Sequence, residues 1–174
     1  YEYYMLNKPA GVVSATEDKK ERTVLDLLQE RKRKDLFPVG RLDKDTEGLL
    51  LITNNGDLAH RLLAPGRHVD KVYYAEIDGK VTREDAELFR AGVDIGDKKK
   101  TMPAFLEILS SADRSEILLT IREGRFHQVK RMFHAVGKEV LFLRRIQMGP
   151  LKLDEKLRPG EYRRLTKEEV EKLC

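Results

Sequence analysis

The sequence predicts an α+β fold built on a mostly antiparallel or mixed sheet with flanking helices. Strand-like segments outnumber helical ones. Several are joined by turns too short for the crossover that a parallel pair requires. One run, Gly48-Leu49-Leu50-Leu51-Ile52-Thr53, is apolar without alternation, the pattern of a strand buried on both faces.

The elements follow in chain order. Residues 3–6 read as a short strand and Asn7-Lys8-Pro9-Ala10-Gly11 as a turn. Thr23 is placed to cap a helix whose apolar side holds Val24, Leu25, Leu27 and Leu28. Pro38 and Gly40 break the chain before the apolar run at 48–53. Asn54-Asn55-Gly56 is a turn, after which Asp57 is expected to cap a short helix through Leu63, stopped by Pro65-Gly66. Residues 72–77 form a strand that turns at Asp78-Gly79. Thr82 with Asp85 spells a capping box for a helix ending near Gly92. Two strands, 104–109 and 116–121, flank a polar turn. Residues 126–136 form an amphipathic helix that Gly137 can close. A strand at 140–146 follows, and Thr166 with Glu169 opens the last helix. Neither a repeat nor a low-complexity linker interrupts the 174 residues, so one domain or two small lobes are expected.

Composition narrows the function. Lys plus Arg is 34 against 30 Asp plus Glu, a net charge of +4, and hydrophobic residues are 40%, enough to bury a core. No apolar run approaches the roughly 18 residues of a membrane span. The opening Tyr-Glu-Tyr-Tyr-Met is no secretory signal, and a start at Tyr rather than Met suggests that something N-terminal is missing. The only cysteine is Cys174, so neither an internal disulfide nor a cysteine zinc site is possible, and a reducing cytoplasm is expected. Basic runs at Arg31-Lys32-Arg33-Lys34, Lys98-Lys99-Lys100, Arg144-Arg145 and Arg163-Arg164 suit a phosphate backbone, or equally a solvated surface. There is no P-loop, dinucleotide fingerprint or G-x-S-x-G elbow. His127 and His134 lack a convincing third ligand, so no metal site is expected.

Three clusters carry chemistry. Gly40-Arg41-Leu42-Asp43-Lys44-Asp45-Thr46-Glu47-Gly48 places Asp43 between two cations directly before the buried strand. Cationic neighbours favour an ionised carboxylate, able to act as nucleophile or base, although a salt-bridged surface turn has the same composition. In residues 122–133 Lys130 and Arg131 fall on the helix, interleaved with Phe126, Met132 and Phe133, a mixture that suits splayed, single-stranded RNA. Phe126, Val129 and Phe133, at i, i+3 and i+7, are expected to form the core stripe, leaving the cations on other faces. In Lys71-Val72-Tyr73-Tyr74 alternation sends the two tyrosines to opposite faces, one to the core and one to a pocket, in either order.

These residues together resemble a known family. Gly40-Arg41-Leu42-Asp43-x-x-Thr46-x-Gly48-Leu49-Leu50-Leu51 is similar to the signature of the RsuA/RluA-type pseudouridine synthases. Lys71-x-Tyr73 and Gly124-Arg125-x-His127-Gln128-Val129-Lys130-Arg131-Met132-Phe133 resemble its second and third motifs, in the family's order. Met5-Leu6-Asn7-Lys8-Pro9-x-Gly11 matches its opening strand and turn, and the likeness runs down to Pro159-Gly160-Glu161-Tyr162-x-x-Leu165. His127-Gln128-Val129-Lys130-Arg131-Met132-Phe133 and the 98–103 stretch look most like the branch acting on small-subunit (16S) ribosomal RNA, where large-subunit branches read Asn-Arg-x-Val-Arg-Arg.

The resemblance implies a mixed, mainly antiparallel sheet with flanking helices and a central active-site cleft. Residues 1–174 would be the catalytic domain, without the small N-terminal S4 RNA-binding domain that family members usually carry. The implied reaction isomerises uridine in RNA: the N1–C1′ bond breaks, uracil turns, and C5 bonds to C1′. No electrons or phosphate are exchanged, so no cofactor is expected. By match Asp43 is the catalytic carboxylate, attacking C1′ or removing a sugar proton. Lys130 is its basic partner, standing where many relatives have Arg. Tyr73 packs on the uracil and assists proton loss at C5. Arg41, Lys44, Thr46, Arg125, His127, Gln128 and Arg131 belong to the matched motifs and are expected to hold the RNA. Base flipping is required, because C1′ and C5 are inaccessible in a stack. The expected partner is ribosomal RNA, 16S rather than 23S, free or in a pre-ribosomal particle, bound by a cytoplasmic monomer without a membrane. A non-catalytic RNA-binding module explains the basic clusters, but has no use for an acid inside an anion-binding surface. An aspartyl-phosphate hydrolase needs its acids after an apolar strand, whereas here the strand follows them.

Overall fold

The computed structural model describes residues 1–29, 35–64, 66, 67 and 69–174. The basic run Arg31-Lys32-Arg33-Lys34, Pro65 of the expected helix stop, and His68 lie outside the described residues. Nine strands, four α-helices and one 3-10 turn are present among those residues, in a mixed, mainly antiparallel sheet, as the sequence predicts. The chain falls into two compact units, Tyr1–Val69 with Arg145–Cys174, and Asp70–Arg144.

The first unit is built on β1 (Tyr3–Lys8) and β3 (Glu47–Thr53). They pair antiparallel from Tyr3 opposite Thr53 to Lys8 opposite Gly48. β2 (Phe37–Val39) pairs with β3, β9 (Tyr162–Arg164) with β1, and β8 (Leu151–Lys152) with β7 (Glu139–Met148), whose last four residues belong here. β3 is buried from Gly48 to Thr53, because it is flanked by strands and covered by the core residues Met5, Val39, Leu58, Met148 and Leu173.

Two readings need correction in this unit. Thr23 opens no α-helix, only a 3-10 turn, Val24–Leu27. Asp26 does accept from the Thr23 N–H at 2.9 Å. Yet Leu28 is already extended (ψ 132°) and buried, and the next N–H, of Gln29, donates to the Tyr162 hydroxyl at 3.0 Å. Tertiary contacts thus end the helix that local propensity would continue. The helix α1 (Gly56–Leu63) is capped by Asn55, not Asp57. The Asn55 Oδ1 accepts from Leu58 N–H at 3.1 Å, while its Nδ2 donates to the Tyr3 hydroxyl at 2.9 Å.

In the second unit the order is β5 (Phe105–Ser110), β6 (Arg114–Ile121), β4 (Lys71–Asp78) and β7. β4 and β6 pair antiparallel from Lys71 opposite Ile121 to Asp78 opposite Arg114. The Thr82–Asp85 box opens α2 (Arg83–Ala91) as expected, with Thr82 N–H donating to Asp85 at 2.9 Å. Phe89 of α2 meets Phe133 of α3 (Gln128–Ala135) edge to face, centroids 5.0 Å apart. α4 (Lys167–Leu173), in the first unit, starts at the expected Thr166–Glu169 box.

α3 is shorter than its pattern. His127 is left-handed (φ 48°), so Phe126 lies outside the helix and is exposed rather than in the core stripe. The buried stripe is Val129, Met132 and Phe133, with Gln128 beside it. The i, i+3, i+7 rule holds only where the backbone is helical.

Gly92 ends α2 at φ 93°, ψ 141°, a region open essentially to glycine alone. A Cβ there would stand 2.4 Å from the Thr101 carbonyl oxygen, and that backbone is pinned by Thr101 N–H donating to the Val93 carbonyl at 2.9 Å. Gly92→Ala is expected to destabilise the chain by at least about 2 kcal/mol, measured as a fall in the urea midpoint. An unchanged midpoint would mean that this clamp is soft.

Candidate active site

The Asp43 loop lies in the first unit and is fixed from below by β1 and the turn after it. The Lys8 side chain, fully buried, donates from Nζ to the carbonyls of Pro9 at 2.9 Å, Lys44 at 3.0 Å and Thr46 at 2.7 Å. Three donors thus meet three acceptors, and an ammonium becomes the peg of the loop. Burial pulls its pKa down to about 8, and attraction to Asp45, Glu47 and Asp43 offsets part of that. The Lys44 carbonyl accepts a second bond, from the Gly11 N–H at 2.9 Å. The Ser14 hydroxyl donates to the Leu42 carbonyl and accepts from the Leu42 N–H, both at 3.0 Å. A turn closes with the Thr46 N–H donating to the Asp43 carbonyl at 3.0 Å.

On this frame Arg41 is exposed, Leu42 is buried and Asp43 is half-buried. Lys44 is exposed and ion-paired with Glu21 at 2.8 Å. Thr46 is only 2% exposed, so it works inside the loop. Asp43 is therefore carried on a short segment whose neighbours on both sides are pinned by backbone bonds, the arrangement that holds a reacting group in register.

The second unit carries the other matched residues. Tyr73 on β4 is the buried tyrosine of the pair, 8% exposed, opposite Leu119. Tyr74 takes the other face, where its hydroxyl donates to Glu116; that bond pushes its pKa up to about 12. Lys130 is half-buried on α3. Arg125 pairs with Glu123 at 2.9 Å and donates to the carbonyls of Lys99 at 2.7 Å and Lys100 at 2.8 Å. Arg131 grips Asp97 with two bonds, 3.0 and 3.2 Å, and donates to the carbonyls of Phe126 at 2.8 Å and Ile95 at 2.9 Å. The Arg131 guanidinium holds the Asp97 carboxyl below its ordinary pKa. Gln128 is buried, accepting from Arg125 N–H at 3.1 Å and donating to Glu123 at 3.0 Å. Arg125, Gln128 and Arg131 thus brace the 123–128 loop, while His127 forms its left-handed corner.

The expected residues therefore fall into two groups, Arg41, Asp43, Lys44 and Thr46 in the first unit and Tyr73, Arg125, His127, Gln128, Lys130 and Arg131 in the second. Sequence reasoning gave Lys8 no role. The signals for one were a Lys-Pro pair at the end of an apolar strand and its place in the matched opening motif, and neither distinguishes a buried ammonium from a surface one.

The sheet, the pinned carboxylate loop and the helix with cationic neighbours have the α+β construction and the residue types that the motif resemblance implies. The family described as RNA pseudouridylate synthase matches residues 2–135, and the chain belongs to that family. It is 53% identical over 170 residues to a Bacillus subtilis (strain 168) protein named uncharacterized RNA pseudouridine synthase YtzG, covering 97% of this chain and 71% of that one. It is 47% identical over 169 residues to the ribosomal small subunit pseudouridine synthase A of Vibrio cholerae, covering 97% of this chain and 72% of that one. A crystal structure of a pseudouridylate synthase superposes with a TM-score of 0.93 at 41% identity, covering 99% of this chain and 74% of that one.

Proposed function

We propose that this chain, with residues 1–174 as its catalytic domain, converts one uridine of 16S ribosomal RNA to pseudouridine. The observation that carries the choice of RNA is the 47% identity, over 97% of the chain, to a relative named for the small ribosomal subunit. In this reading Asp43 attacks C1′ or takes a sugar proton. Lys130 is its cationic partner, and Tyr73 lies against the uracil. Arg41 and Lys44 meet phosphate or the gap left by the flipped nucleotide, and Thr46 keeps the loop closed. Arg125, His127, Gln128 and Arg131 shape the surface that receives the strand. The enzyme works as a cytoplasmic monomer on free RNA or on a pre-ribosomal particle.

The experiment is tritium release from 5-tritiated uridine in 16S and 23S transcripts, followed by mapping of the modified position. Release from 16S RNA alone is the expected result; release from 23S RNA alone would move the chain to the large-subunit branch. Tyr73→Phe is expected to bind RNA within about threefold of wild type and to turn over roughly tenfold to a hundredfold more slowly, measured as single-turnover rate against affinity. Equal rates would leave Tyr73 with packing alone.

A further inference from the structure

Phe126 is the most exposed large apolar side chain after Tyr1, at 75%. It lies flat on the His127 imidazole, centroids 3.8 Å apart and planes 18° from parallel. His127 is the only non-glycine residue with positive φ among the described residues. A corner in that conformation is strained and persists where its surroundings enforce it. Here the enforcement is visible. Arg131 holds the Phe126 carbonyl from one side, and Arg125, next in the chain, is bolted to the carbonyls of Lys99 and Lys100. The side chains of Lys98, Lys99 and Lys100 are exposed on that same tethered turn. One face of the Phe126 ring lies on His127, and the residue is nonetheless largely exposed.

We propose that Phe126, backed by His127, is a stacking platform for an unpaired base of the substrate RNA, and that Lys98, Lys99 and Lys100 grip the adjoining phosphates. The inference rests on the reading that the substrate is RNA. Every nucleobase has a flat face, so an aromatic platform accepts an unstacked one whatever its sequence, and cations beside it suit the backbone. A rigid loop has already lost the conformational freedom that binding would otherwise remove.

The chain has no tryptophan, so Phe126→Trp introduces a single indole fluorophore at the platform. Titration with a single-stranded fragment of 16S RNA is expected to quench it, and a duplex of the same sequence is not. Phe126→Leu, which keeps an apolar side chain, is expected to weaken binding by about fivefold to a hundredfold with an unchanged salt slope. Replacing the three lysines by alanine is expected to flatten that slope by about two. Wild-type affinity in Phe126→Leu, or indole fluorescence in Phe126→Trp that is indifferent to single-stranded RNA, would overturn the platform. Quenching together with no uridine conversion by the wild-type chain would support the platform and overturn the catalytic reading instead.

Discussion

Asp43→Asn is expected to abolish pseudouridine formation, by at least about 10⁴-fold in single-turnover rate, and to leave the fold in place. The neutral amide neither attacks C1′ nor removes a sugar proton, so both mechanistic readings of the carboxylate predict the same loss. The fold should survive because the bonds that shape the loop run through backbone. Lys8 reaches the carbonyls of Lys44 and Thr46, the Asp43 carbonyl accepts from Thr46 N–H, and Ser14 holds Leu42. Tritium release should fall to background, with the unfolding free energy from urea titration within about 0.5 kcal/mol of wild type. RNA affinity should hold or rise, since a negative charge has left a surface that receives phosphate. Conversion at a comparable rate would remove Asp43 from the chemistry.

Lys8→Met should lower kcat by about a hundredfold with little change in RNA affinity. Its ammonium touches no substrate group in the proposed reaction; it sets where the 43–46 turn sits. Displacing a reacting group by about 1 Å can cost two orders of magnitude. Stability at neutral pH responds less, because the unpaired carbonyls left behind are offset by no longer burying a charge. The pH dependence supplies an independent check. The folded chain keeps the Lys8 proton only to about pH 8, against an ordinary value of 10.5. Between those values the unfolded chain binds more protons, so stability rises with pH there, by at most about 1.4 kcal/mol per pH unit. The penalty is fully present below about pH 8. Urea unfolding at about pH 7 and about pH 9.5 should show wild type gaining on Lys8→Met; parallel curves would mean that Lys8 keeps an ordinary pKa.

Much of this was legible where one local rule decides the outcome. The Thr82–Asp85 and Thr166–Glu169 boxes satisfy their own helix starts, and the unbroken apolar run in β3 admits only a strand covered on both faces. The expectations that failed depended on distant partners. Thr23 has a capping pattern, but Leu28 and Gln29 are claimed by burial and by the Tyr162 hydroxyl, 133 residues away. Asn55 outcompetes Asp57 because Tyr3 positions its amide. Phe126 was assigned to the core by spacing, yet a left-handed histidine begins the helix after it. Among the expected site residues, Asp43 and Lys130 stood out by residue type within recognisable motifs. Lys8 did not, because the three carbonyls that give it meaning are assembled only by folding.

Residues 70–144 leave the ribosome as one uninterrupted stretch, with every segment of their unit at hand, whereas the other unit is split around them. β1 can pair with β3 early, but its opposite side must wait for translation to reach β9, where Tyr4 meets Arg164 and Leu6 meets Tyr162. Until then a strand carrying buried Tyr4, Met5 and Leu6 stands with an open edge in the nascent chain, a vulnerable state that the native sheet later closes. The inserted half is free to mature first, and the half that bears Asp43 is completed only once residues 145–174 have followed.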